Sequence, residues 1–172
     1  MSEIIIKTPA QIELMRESGR LLAKVFAYLD QQVKIGITTM EINDLVERYI
    51  VDELAARPAS KGQYDYPYVL NSSVNEVVCH GFPDSKRALK SGDIVNLDIT
   101  LEKNGFIADS SKMYMLGEVS PLAKRLVEKT YQAMWQGIKL VKPGVRLGDI
   151  GNAIANFAHT NGYSVVREYC GH

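Results

Sequence analysis

Asp98 and Asp109 stand either side of an Asn-Gly pair, in the run Val95-Asn96-Leu97-Asp98-Ile99-Thr100-Leu101-Glu102-Lys103-Asn104-Gly105-Phe106-Ile107-Ala108-Asp109. That spacing suits the chemistry of clustered cations. Asn-Gly between two apolar-rich runs is the strongest short-range signal for a β-hairpin. With Asn104 and Gly105 as the loop, Lys103 pairs with Phe106 and Asp98 falls opposite Ser111. Asp109 then lies diagonal to Asp98 on the same face, because strand side chains alternate with period two. Diagonal neighbours sit about 7–8 Å apart, a gap that two carboxylates can close onto cations separated by about 3.5–4 Å. A pair of solvated acids on an exposed hairpin is the alternative. Val95, Leu97, Ile99 and Leu101 weigh against it, since so apolar a strand belongs inside and acids embedded there need a partner.

The chain holds three histidines, His80, His159 and His172. His80 closes Asn75-Glu76-Val77-Val78-Cys79 and precedes Gly81-Phe82-Pro83, so it is expected to end a buried strand at a turn. A neutral imidazole there can handle protons near physiological pH, or can simply be satisfied by loop carbonyls. His159 lies between Ala158 and Thr160 on the polar side of a helix and reads as a surface residue. His172 follows Gly171 at the end of a strand-like run from Val165. One imidazole and two carboxylates form a hard oxygen and nitrogen set, suited to manganese, iron, cobalt or zinc. Three ligands are too few for two metals, so further acids are expected from outside these 172 residues. Cys79 and Cys170 are too few for a disulfide framework and read as small buried hydrophobes. There is no glycine-rich phosphate loop, CxxC pair or serine elbow.

The elements that must hold these groups follow from caps and periodicity. Thr8-Pro9 opens a helix whose apolar stripe is Ile12, Met15, Leu22, Val25, Phe26 and Leu29. Thr38 or Thr39 caps a second helix carrying Ile42, Leu45, Val46, Tyr49 and Ile50. A connection rich in Gly, Pro and Tyr, from Arg57 to Tyr68, leads to a β region from about Val69 to Met115. Pro121 starts a third helix and Leu147 to Thr160 form a fourth. At 172 residues, 46% apolar, 23% charged and net charge zero, the composition is that of a globular domain. The neutral balance gives no electrostatic case for nucleic acid or an anionic membrane. No apolar run is long enough to span a bilayer, and the acidic start of the chain is not a secretory signal, so cytoplasmic residence is the default expectation.

One pattern recurs. Val33-Lys34-Ile35-Gly36-Ile37 followed by Glu41-Ile42 returns as Val141-Lys142-Pro143-Gly144-Val145 followed by Asp149-Ile150, an offset of 108. Each copy sits between two helices of similar length, which favours an internal duplication over chance. The first copy feeds a β region near Val69, so the second should do so near position 177, beyond His172. The expected units are therefore 9–116 and 121–172, the second cut short.

Three segments, Asn75-Glu76-Val77-Val78-Cys79-His80-Gly81, Gly92-Asp93-Ile94-Val95-Asn96-Leu97-Asp98 and Val165-Val166-Arg167-Glu168-Tyr169-Cys170-Gly171-His172, give the chain a family likeness. It resembles the bacterial type I methionine aminopeptidases along essentially its whole length. The resemblance implies an α+β pita-bread fold, two pseudo-symmetric halves clasping two divalent metal ions, with the second half incomplete here. It implies removal of the initiator methionine from nascent polypeptide N-termini in the cytoplasm near the ribosome, by a monomer in full-length form. Asp98, Asp109 and His172 match metal ligands, His80 the histidine near the scissile bond, and Tyr66 an aromatic of the methionine pocket. Asn71 stands where relatives commonly carry a pocket cysteine. The family's two glutamate ligands, and a second substrate-contacting histidine, would lie beyond His172. These 172 residues alone are accordingly expected to be inactive, and a non-catalytic binding module or a truncated gene product are the other readings.

Overall fold

The structure, a computed structural model, describes residues 4–169. It divides into two compact units, the first closing at Val119 and the second opening at Ser120.

Helix α1 (Pro9–Gln32) begins where Thr8 and Gln11 cap one another's backbone N–H groups, with Pro9 in the first turn. The expected stripe is buried at Leu22, Val25 and Leu29, but Ile12 and Met15 are about 40% exposed, at 43% and 40%. Only from Ser18 onward does α1 meet the sheet, so its first two turns overhang. Buried Ser18 pins the contact, its hydroxyl donating to the carbonyl of Phe106 at 2.8 Å. Helix α2 (Thr39–Arg48) is capped by Thr38, which shares a capping box with Glu41. A single wide turn, Tyr49–Glu53, continues it and buries Ile50.

Strands β1 (Arg57–Pro58), β2 (Leu70–Val74), β3 (Ile94–Lys103) and β4 (Phe106–Met115) form one antiparallel sheet. β3 pairs along its whole length with β4, and on its other edge with β2 and then β1. Along β3, Val95, Leu97, Ile99 and Leu101 are fully buried and alternate with half-buried Asn96, Asp98 and Thr100. The apolar face packs on α1 and α2, with Val25, Leu29, Ile42, Val46 and Ile50 as its counterparts in the core. Burying each such side chain contributes about 1.5–3 kcal/mol, which pins the face of every strand residue. The acids are thus not embedded among the apolar residues as the sequence reading held. Asp98 points to the opposite face.

Two segments expected as strands are not. Asn75 takes a left-handed conformation, φ 53, and sits opposite Ile94, the first residue of β3. Its backbone N–H donates to the Ile94 carbonyl at 2.9 Å, and its side-chain oxygen accepts from the Ile94 N–H at 3.0 Å. Residues 76–79 run past the end of β3, have no strand to pair with, and leave Val78 70% exposed. Residues 165–169 likewise form bends and extended chain, because no strand among the described residues pairs with them. β-propensity makes a strand only where a neighbour completes its hydrogen bonds.

In the second unit, α3 (Pro121–Ile138), capped by Ser120, packs on α4 (Leu147–Thr160). Gly137 makes the approach close, since a Cβ there would lie 2.7 Å from the Ile154 Cδ1. Arg125 ties the end of α4 back, donating to the Asn161 carbonyl at 2.7 Å and to the Tyr163 hydroxyl at 3.0 Å. The glycines that the repeat aligns, Gly36 and Gly144, share a left-handed conformation, φ 94 and 88. In both copies the acid three residues after the cap accepts from the cap's backbone N–H: Glu41 from Thr38 at 2.7 Å, Asp149 from Arg146 at 3.0 Å. No helix among the described residues is long and apolar enough to cross a membrane.

Candidate metal centre

The hairpin has the register that the Asn-Gly pair implies: Lys103 pairs with Phe106, Asp98 with Ser111 and Thr100 with Asp109. Asn104 and Gly105 both adopt positive φ, 54 and 80, as a two-residue hairpin loop of this kind requires. Asp98 and Asp109 are therefore diagonal neighbours on the face turned away from α1 and α2. Asp109 is exposed and Asp98 half-buried.

The two oxygens of Asp98 differ. Oδ2 accepts from the Asn71 Nδ2 at 3.3 Å, and Asn71 is its direct partner across the β2–β3 ladder. Oδ1 is buried and has no hydrogen-bond partner among the described residues. A carboxylate oxygen in that state is rare and unfavourable, by about 1–3 kcal/mol or more for a charged group, unless something completes it. A divalent cation does so. The donors present are hard oxygens on rigid strands, and they fit such an ion. Among the described residues no group of three or more His, Cys, Asp or Glu side chains is arranged to hold a metal. The pair Asp98 and Asp109 is what this unit offers, and the third expected ligand, His172, lies outside the described residues.

His80 is exposed, at φ 55, in the loop that follows β2 rather than at a strand end. The loop is held in place at Gly81. The Ser72 N–H donates to the Gly81 carbonyl at 2.7 Å, and the Gly81 N–H donates to the Ser73 Oγ at 3.2 Å. A Cβ at position 81 would lie 2.3 Å from the Ser72 carbonyl oxygen, so only glycine lets the loop lie against the free edge of β2. At its start, the loop is tied down by Asp93. Asp93 accepts from the Asn75 Nδ2 at 2.8 Å, the Lys90 N–H at 2.9 Å and the Arg87 guanidinium at 3.3 Å. Burial pushes the Asp93 carboxyl up, but these donors and the charges of Arg87 and Lys90 bring it below the ordinary carboxylate value.

Beside this loop lies an aromatic cluster. Tyr66, Tyr68 and Phe82 meet edge to face, with ring centroids 5.3–5.8 Å apart. Tyr66 donates its hydroxyl to the Leu70 carbonyl at 2.8 Å, which fixes it to the first residue of β2. Burial pushes its phenol up to about 12, with Tyr68 and the Asp98 carboxylate adding to the shift. The cluster therefore sits within electrostatic reach of the carboxylate. Tyr68 and Phe82 were not singled out from the sequence, although Tyr-Pro-Tyr and a phenylalanine directly after His80-Gly81 were the available signal. His159 is exposed at the end of α4. Cys79 is a half-buried free thiol, and Cys170 lies outside the described residues.

Comparison with known proteins places the fold. The methionine aminopeptidase of Salmonella typhimurium is 48% identical over 169 residues, which is 98% of this chain and 64% of the relative. The chain thus spans about two-thirds of the length of the curated relatives it matches. The crystal structure of methionine aminopeptidase from Rickettsia prowazekii superposes with a TM-score of 0.95 at 43% identity, covering 99% of this chain and 68% of that one. The Thermotoga maritima methionine aminopeptidase gives a TM-score of 0.94 at 36% identity, with 99% and 68% covered. The mixed helix and sheet architecture is that of the pita-bread enzymes. Residues 13–172 match the profile of metallopeptidase family M24, and the chain belongs to that family.

Proposed function

We propose that these residues are the larger part of a methionine aminopeptidase, which removes the initiator methionine from nascent polypeptides in the cytoplasm near the ribosome. The observation that carries the reading is the buried, unpartnered Oδ1 of Asp98, on the same sheet face as Asp109 and within reach of an aromatic cluster. Asp98, Asp109 and His172 would hold divalent metal, with two glutamates contributed from the part of the relatives that these residues do not span. Two ions bound there, of cobalt, manganese, iron or zinc, supply Lewis-acid polarisation of a carbonyl and acidification of water. The chain's own residues do the rest. Tyr66, Tyr68 and Phe82 offer an aromatic wall for an unbranched, apolar first side chain, and aromatic edges favour a thioether. Asn71 borders the same strand position as Asp98. His80, presented by the Gly81-anchored loop, donates a hydrogen bond to the scissile amide and stabilises charge there as the bond breaks.

The test uses a chain completed with the remaining third of a relative and assayed on a Met-Ala-type peptide. Replacing Asp98 or Asp109 by Ala should abolish both cleavage and metal content. Replacing His80 by Ala should cut turnover roughly 10²–10⁴-fold with metal content unchanged. Metal lost together with activity in the His80 variant would overturn the role given to that residue. The 172 residues expressed alone should bind metal weakly and release no methionine, and two tight sites on them would refute the ligand set.

A further inference from the structure

We propose that Asn71 is a positioning residue for the metal ligand Asp98. The inference rests on the metal reading of Asp98 and deepens it. Asn71 and Asp98 are direct partners in the β2–β3 ladder, so no loop intervenes and the backbone fixes their separation. Their side chains share one face and meet at 3.3 Å, Asn71 Nδ2 on Asp98 Oδ2. The orientation of the amide is forced, because its oxygen would repel either carboxylate oxygen. The result is an asymmetric carboxylate: one oxygen carries a neutral donor and the other is buried and bare.

The turn that leads into the same strand shows what a purely structural aspartate looks like. Asp93 has both oxygens engaged, one by Asn75, the other by the Lys90 N–H and Arg87. Asp98 has one donor among the described residues. A single amide on Oδ2 locks the rotation of the carboxylate and draws charge from that oxygen, which leaves Oδ1 aimed and unencumbered. Partners of this kind orient metal ligands in general, and losing one weakens metal affinity by roughly 10–100-fold. A neutral amide has a second merit over a cationic partner: it orients the ligand without cancelling the charge that attracts the cation.

The test is Co²⁺ binding to the chain completed with the remaining third of a relative, followed by calorimetry and by the visible d–d spectrum, with no reliance on turnover. Asn71→Leu keeps the shape and removes the donor, and Asn71→Ala removes both. Each should weaken Co²⁺ binding by roughly 10–100-fold relative to wild type and shift the d–d bands, since the ligand is no longer held in one orientation. Equal or tighter binding with an unchanged spectrum in either variant would overturn the proposal alone. Absence of Co²⁺ binding by the completed wild-type chain, with Asp98→Ala indistinguishable from it, would overturn the metal reading and the proposal together. Should both Asn71 variants fail to fold, the wild-type protein still decides. The Asn71 side-chain amide resonance should move on saturation with diamagnetic Zn²⁺, and a resonance that stays put would overturn the proposal.

Discussion

A single hydroxyl, that of Tyr66, joins the aromatic cluster to the sheet by donating to the Leu70 carbonyl. Its phenol is raised from 10.0 to about 12, which means that the fold favours the neutral form. That stabilisation is complete below the unfolded value near 10.0 and disappears as pH climbs to about 12. Wild type should therefore lose stability relative to Tyr66→Phe across that window, and melts at stepped alkaline pH check it. A parallel loss in the two proteins would contradict the assignment. Gly81→Ala addresses the neighbouring loop. With the new Cβ 2.3 Å from the Ser72 carbonyl, backbone must shift, at about 1–3 kcal/mol. The Ser72 amide, bonded to the Gly81 carbonyl, should then lose protection in hydrogen exchange ahead of the β3 amides. The two acids could be read from sequence because the Asn-Gly loop fixes the register and period two fixes the face. Tyr68 and Phe82 could not, because a loop brings them together and no local periodicity joins their positions.

At the scale of elements, the turn from β2 into the His80 loop rests on the carboxylate of Asp93. Its folded-state value lies below the ordinary 3.8, so the stability it contributes is present above that value and is lost as pH falls through it. The margin of wild type over Asp93→Asn should be constant near neutrality and shrink below about pH 3.8, as acid-unfolding curves followed by circular dichroism will show. A margin that grows toward low pH would contradict this. Helix starts were legible to the residue at Thr8-Pro9 and Pro121, and to within one residue at Thr38 or Thr39, because capping is local chemistry. Residues 76–79 and 165–169 were misread as strands, since Val-Val pairs state a preference and only a partner strand can fulfil it. The wide turn at Tyr49–Glu53 left no mark in the sequence. It lies where Tyr28 stacks on Tyr49 with centroids 4.4 Å apart, a contact between α1 and the end of α2.

For the whole molecule, exposed apolar surface makes a prediction about the 172 residues made alone. On α3, Leu122 is 78% exposed, Tyr131 59% and Trp135 40%, and at the other end of the chain Ile4 is 89% exposed. Large apolar side chains left in water favour association. Sedimentation velocity should show concentration-dependent oligomers, and Leu122→Lys with Tyr131→Lys should reduce them. A monodisperse monomer at all concentrations would argue that these side chains are covered. The offset of 108 that pairs Gly36 with Gly144 was visible only by comparing the chain with itself. The sheet's two faces have one more consequence, for how such a sequence drifts over generations. Leu97 and Asp98 are adjacent letters with opposite destinations, one in the core and one on the sheet face turned away from it. Loss or gain of a single residue inside β3 would exchange the two, like a frameshift, and the same change in β4 would exchange Asp109 with a residue of the other face, so core and acid pair would be lost in one event. The loop at 60–65 has no such alternation to keep. Lineages should therefore accumulate length changes there and almost none between Ile94 and Met115.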